Sequence, residues 1–368
     1  MNFHSLKALR NLNWALIYSI LALGLIGVAV LYSVADSDFA LWSLQHSARL
    51  GFGMILMFTI ALMDVRLLYA SAYVLFIVLL IMLIGVEVGG TRSMGAQRWL
   101  DLGFLRVQPS EFMRIGLILA LARYYQTRHP LDVSKLQNLI MPAIFIITPA
   151  VLIFRQPDLG TSIMLVLTGL GVLYLAGVNW RYFAVGGVSI AAAIPFIWQT
   201  LLPYQKQRVL VFLNPEQDPL GSGYHIIQSK IGIGSGGLSG KGFGEGTQSR
   251  LNFLPEKHTD FIFTIFAEEM GFIGGIALLL LFVLVIFLHF NIIARLRNPF
   301  SRLCVGGMGW ALFVYVFVNL AMVMGLLPVV GVPLPFISYG GTSLLTFLLG
   351  IGVVLCVERQ SMTELPRS

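Results

Sequence analysis

Charge is what this sequence has least of. Of 368 residues only 11% are Asp, Glu, Lys or Arg, less than half the roughly 25% of a soluble domain. Hydrophobic residues make up 57% and mean hydropathy is +0.84, which excludes a water-soluble globule. Cysteine is nearly absent too. Cys304 and Cys356 lie in or beside apolar runs, too few for a disulfide framework, and are read as buried thiols. The N-terminal stretch, with Lys7 and Arg10, lacks a small-residue cleavage site before the first apolar run, so that run is a retained span rather than a signal peptide. Nothing resembles a separate soluble domain, and residues 1–368 are read as a single membrane domain. The net charge of +7 is spread over the loops. That suits anionic lipid headgroups and gives no reason to invoke nucleic acid.

What is present is a series of apolar runs long enough to cross a bilayer. They fall at about 14–35, 46–63, 68–86, 111–127, 138–154, 160–178, 182–202, 260–290, 303–327 and 340–357. The expected fold is therefore an all-α polytopic membrane protein of about ten transmembrane helices, with a long loop, 203–259, between helices 7 and 8. With a cytoplasmic N-terminus the inner segments hold Lys7, Arg10, Arg66, Arg123, Arg128, Lys135, Arg181, Arg295, Arg297, Arg302, Arg359 and Arg367, whereas the short outer loops hold Arg92, Arg98, Arg106 and Arg155. Twelve against four places both termini in the cytoplasm. The long loop adds six basic residues outside, but loops of that length translocate largely regardless of charge. Polar chemistry then faces outward, in 87–110, around 155–159 and in 203–259.

The chain is organised around residues 251–270, LNFLPEKHTDFIFTIFAEEM. Glu256, Lys257, His258 and Asp260 sit where a polar, glycine-rich segment meets an apolar run, and Glu268 and Glu269 lie two turns further in. Carboxylates at the mouth of a membrane-length helix are costly to desolvate and point to function. Asp260 could equally cap the helix start; Glu268 and Glu269 lie too deep for that. Asp260, Thr264 and Glu268 are four apart and share a helical face. A partly desolvated carboxylate at Asp260 could act as general base toward a hydroxyl or hold a divalent cation.

Other outer residues have two readings each. Glu111, in the first turn after Pro109 and Ser110, can pair with Arg114 three residues on, either as a local stabiliser or as part of a site. Arg98 and Arg106 could grip a diphosphate in fork geometry or meet phospholipid phosphates. Asp158, in RQPDLGTS, suits an N-cap as well as function. Residues 224–233 could form a short interfacial helix. The glycines after it match neither a dinucleotide fold, since no βαβ unit surrounds them, nor a P-loop, because Lys241 is followed by Gly242. They leave a flexible loop whose N–H groups, with Lys241, could approach an anion or act as a lid. The stretch 327–343, with three prolines and Gly340–Gly341, is expected to line the same outer cavity.

Five segments carry a resemblance: GAQRWLDLGFLRVQPSEF (95–112), QPDLGTS (156–162), YHIIQSKIGIGSGGLSGKG (224–242), FLPEKHTDFIF (253–263) and VPLPFISYGGTS (332–343). They closely resemble the SEDS family, and KGFGEGTQSRLNFLPEKHTDF is more similar to its RodA branch than to the division-specific FtsW branch. The resemblance implies a peptidoglycan glycosyltransferase acting on lipid II at the outer face of the cytoplasmic membrane during cell elongation, in complex with a class B penicillin-binding protein, a transpeptidase. It implies an essential Asp260, with Glu111, Arg106 and Asp158 at the family's other motif positions. Relatives often carry Lys where this chain has Arg114; an arginine serves there if its task is to pair with Glu111.

Joined, these lines give a mechanism. Asp260 deprotonates the acceptor hydroxyl or positions a divalent ion such as Mg or Mn, and Glu111 orients or assists. Arg106, Lys241 and Lys257 stabilise the leaving diphosphate, with Arg114, Asp158 and His258 as further substrate contacts. An α-linked donor becoming a β-1,4 product implies single-displacement inversion. Two rivals are a lipid II flippase, which intramembrane acids would suit although no clear inverted repeat is visible, and a non-catalytic scaffold for the transpeptidase.

Overall fold

The computed structural model describes residues 10, 12–93, 96–101, 106–201, 203–217, 222–247, 257–361 and 365. Among the described residues ten helices fall at the ten expected spans: α1 (Trp14–Val34), α2 (Leu44–Leu62), α3 (Val65–Gly89), α4 (Pro109–Gln126), α5 (Leu136–Arg155), α6 (Leu159–Leu175), α7 (Trp180–Thr200), α10 (Ile262–Arg295), α11 (Pro299–Val323) and α12 (Gly341–Arg359). Six of them, α1, α3, α5, α10, α11 and α12, are long and apolar enough to cross a membrane. Among the described residues of the long loop lie two shorter helices, α8 (Pro203–Leu213) and α9 (Ser222–Ser235). The protein is an all-α polytopic membrane protein.

Burial sorts the helices. Residues of α4, α11 and α12 are buried almost all round, which is how α4 can carry Glu111, Arg114 and Arg123 within 18 residues. α3, α5 and α10 bury one stripe and expose apolar side chains such as Ile77, Ile147 and Phe287 on the other, the pattern of helices that face lipid. Cys304 and Cys356 are buried and unbonded to each other.

Two features depart from the expectation. The outer segment after α3 contains a three-stranded antiparallel sheet, β1 (Thr91–Ser93), β2 (Ala96–Asp101) and β3 (Arg106–Val107), in that order. Its strands are too short to show the alternation from which a strand is read. The second departure is inside α10, where Gly271 adopts φ 65° and ψ −166° and breaks the helix. The 24 residues beyond the break rise about 36 Å, enough to cross the bilayer, so the turns before it stand at the mouth.

Candidate active site

The residues that precede α10 form a turn, 257–261, held from three sides. Asn319 of α11 donates through Nδ2 to the Asp260 carbonyl (2.9 Å) and the Val332 carbonyl (2.7 Å). Ser338 Oγ donates to the Thr259 carbonyl (2.7 Å), and the Tyr339 N–H to the His258 carbonyl (2.9 Å). Val332, Ser338 and Tyr339 belong to the non-helical stretch between α11 and α12, which is deeply buried at Val332, Leu334, Phe336 and Ile337. Irregular backbone survives at membrane depth when protein encloses it in this way, and part of the 327–343 stretch packs directly on the 257–261 turn. The Asp260 side chain remains half-buried, beside Gly331. Its helix begins at Ile262, and Phe261 occupies the N-cap position.

The neighbouring aromatics lie flat on the same turn. Trp42 stacks on His258 (centroids 4.6 Å apart, planes 2° apart), with Tyr339 5.8 Å from the imidazole. Lys257 is buried. Its ammonium is pushed below the usual lysine range by burial, an effect the Asp36 carboxylate partly offsets.

Glu111 and Arg114 do pair, at 3.4 Å, and both are buried. Arg114 is 3% exposed. Its Nη2 donates to Thr346 Oγ1 (2.9 Å), and its guanidinium lies 4.3 Å from the Tyr315 ring centroid and 3.9 Å from that of Phe347. Tyr315 donates to Glu111 Oε1 at 3.5 Å. Tyr315 and Asn319 are one turn apart on α11, so a single helix face joins the Glu111 pair to the Asp260 turn. Asn319, Tyr315 and Trp42 were not picked out from sequence. The signal for Asn319 was available, as the one amide in the apolar run 303–327.

Asp158 caps α6, accepting from the Thr161 N–H (3.3 Å) and hydroxyl (2.9 Å). It also meets Arg98 Nε and Gln108 Nε2, both at 3.4 Å. Arg98 donates to the Pro157 carbonyl as well (3.0 Å). The motif thus ties the sheet to the start of α6 and supports α4 from below Glu111. Arg106 is 73% exposed and pairs across β2–β3 with Asp101 (3.4 Å).

The glycine-rich loop is not the open anion cradle that its composition suggests. Because Gly271 breaks α10, the carbonyls of Glu268 and Glu269 lose their helical donors, and the N–H groups of Lys241 and Gly242 replace them (3.1 and 3.0 Å). In return the Phe272 and Ile273 N–H groups donate to the Gly237 and Leu238 carbonyls. Gly240, at φ 80°, packs its Cα against the Glu269 carbonyl, where no Cβ fits. The Lys241 ammonium bonds Glu268 Oε1 at 2.6 Å, and that oxygen also receives the Thr247 N–H (3.0 Å) and hydroxyl (2.7 Å). Ser33 donates to Glu269. Thr264, on the face shared with Glu268, meets Ser229 of α9 (2.6 Å), so α9 docks on the protein rather than only on the interface.

Among the described residues no group of three or more His, Cys, Asp or Glu side chains could hold a metal ion. Glu256 lies outside the described residues.

The comparisons agree with this architecture. The FtsW/RodA/SpoVE family model, described as a cell cycle protein, matches residues 10–363. The chain belongs to that family. It is 45% identical to the peptidoglycan glycosyltransferase MrdB of Escherichia coli K12, over 95% of this chain and 94% of the relative. It is 34% identical to the Helicobacter pylori MrdB, over 86% and 82%. Among solved structures it is similar to Thermus thermophilus RodA, a rod shape determining protein (TM-score 0.74, 30% identity, 96% of this chain and 98% of that one). It is also similar to a chain of a peptidoglycan synthase complex that coordinates polymerization and crosslinking (TM-score 0.84, 33% identity, 96% and 99%). Full-length likeness in sequence and fold makes this family member a peptidoglycan glycosyltransferase of the RodA type.

Proposed function

We propose that the protein polymerises lipid II into glycan strands at the outer face of the cytoplasmic membrane, with both termini inside, and that Asp260 is the general base. The observation that carries this is a contrast of exposure: Asp260 keeps a half-buried side chain on a backbone pinned by Asn319, Ser338 and Tyr339. A base must reach its proton from a fixed position. Asp260 takes the proton of the acceptor hydroxyl as that oxygen attacks the anomeric carbon of the donor; the carbon–diphosphate bond breaks, and the polyprenyl diphosphate leaves with the electron pair. The configuration inverts. Lys257, held near the turn, faces the leaving group's charge.

Glu111 and Arg114 act as positioning residues, through Tyr315 and the α11 face that fixes Asp260. The excess of inner over outer basic residues supports the orientation. The likeness to a synthase complex supports a class B penicillin-binding protein as partner.

The test is polymerisation of purified lipid II in detergent, where no bilayer exists to flip across, with Asp260→Ala and Glu111→Gln beside the wild type. Polymer from the wild type and none from the Asp260 variant is expected. Full activity in that variant removes Asp260 from the mechanism, and no polymer from any form returns the protein to the flippase or scaffold readings.

A further inference from the structure

Arg49 stands in the second turn of α2, inside a membrane-length helix, and among the described residues it enters no ion pair. A guanidinium cannot shed its charge, and an isolated one within a membrane span is costly. Its recorded contacts do not neutralise it. Nη2 is 3.4 Å from Gln45 Oε1, and Cζ lies 4.7 Å from the Tyr339 ring centroid. Stacking on a ring fixes the plane of the guanidinium and leaves its edge for an anion.

The position matters as much as the charge. Tyr339 bonds Gln45 through its hydroxyl and the His258 carbonyl through its N–H, and His258 is two residues from Asp260. One aromatic ring therefore separates Arg49 from the turn that carries the candidate base. Further along α2, Phe52 and Ile55 are exposed apolar side chains on the same side of the helix. A half-buried cation thus sits one and two turns before exposed apolar side chains, chemistry suited to the charged head and apolar tail of a lipid.

We propose that Arg49 binds the diphosphate of a polyprenyl diphosphate lipid whose tail lies along Phe52 and Ile55. The inference rests on the glycosyl-transfer reading of the Asp260 site, and it supplies what that site needs. Lys241 is engaged by Glu268 and Arg106 by Asp101, so two of the three cations expected at the diphosphate already have a carboxylate. An arginine matches the two phosphates with paired N–H donors, whereas a lysine offers a point charge.

The experiment is equilibrium binding of undecaprenyl diphosphate to the purified full-length protein in detergent, for wild type, Arg49→Gln and Arg49→Lys, with thermal melting to check folding. Arg49→Gln is expected to weaken binding at least tenfold and Arg49→Lys by less. Unchanged binding in a folded Arg49→Gln overturns the proposal. If Arg49→Gln does not fold, Arg49→Lys decides: binding as tight as wild type, insensitive to the lost fork, overturns it. Dioleoylphosphatidylglycerol displacing the diphosphate at equal concentration also overturns it, by making Arg49 an ordinary headgroup anchor. Because binding needs no turnover, polymerisation by Asp260→Ala would sink the catalytic reading while leaving this measurement interpretable.

Discussion

α10 begins with two carboxylate regions eight residues apart, and they have opposite environments. At Glu268 and Glu269 the side chains are fully enclosed. Glu268 is 0% exposed and receives Lys241, Thr247 and Ser235, and Glu269 receives Ser33. At Asp260 it is the backbone that is saturated, by Asn319, while the side chain stays half-buried. One region uses its carboxylates to bolt a loop onto a broken helix; the other has its backbone held still by Asn319 on a half-buried residue. Acids in a membrane span are therefore not equivalent signals. The saturated pair is a fastening, and the half-buried acid is the one we propose as the base.

That contrast can be broken most directly at Asp260. Asp260→Ala should cut polymerisation about 10²–10⁴-fold, the range for loss of a general base, with melting temperature unchanged. Glu268→Gln should behave in reverse. It leaves the Lys241 ammonium without its carboxylate and should cost about 3 kcal/mol, the low end for a broken buried pair because Lys241 keeps a path to water. The readouts are a lowered melting temperature in detergent and faster proteolysis of the 236–247 loop, with activity per folded molecule retained. A Glu268 variant that is stable but inactive would erase the distinction between the two regions.

Asn319→Ala probes the backbone clamp. It strands the Asp260 and Val332 carbonyls, at about 1–3 kcal/mol for buried acceptors left unpaired, and should lower kcat more than it raises KM, since the base is misplaced rather than removed. The smallest effect is expected from Asp36→Asn. Burial already pushes the Lys257 ammonium down and Asp36 holds it up, so removing the carboxylate lets it fall further. A lysine whose folded value lies below its unfolded one is charged only at the cost of stability, so the charged folded form is lost at lower pH in the variant. The alkaline limb of the pH–rate profile should move to lower pH; an unmoved limb separates Lys257 from the reaction.

The spans were legible in the sequence because membrane helices must satisfy their own backbone locally, so length and hydropathy suffice. Asp260 and Glu111 stand out in the sequence for the related reason that charge in or beside an apolar run is costly. Three things were not legible. Lys241 was read as a candidate diphosphate ligand because its glycine-rich surroundings look open. What occupies it is Glu268, 27 residues on, through a break at a glycine that hydropathy cannot see. Arg114 reads the same whether it pairs with Glu111 alone or also meets substrate; only the packing of Tyr315, Phe347 and Thr346 around it decides that it is enclosed. The sheet at 91–107 was missed because strands of two to six residues carry too little periodicity.

Composition and spacing alone determined that this chain crosses the membrane about ten times and concentrates its polar chemistry at one end, since the cost of charge and open backbone in hydrocarbon acts residue by residue. Which of its acids are enclosed was decided only by the fold. Burial and hydrogen-bond saturation are set by side chains hundreds of residues apart in sequence: Ser33 on Glu269, Asn319 on the Asp260 carbonyl and Thr346 on Arg114.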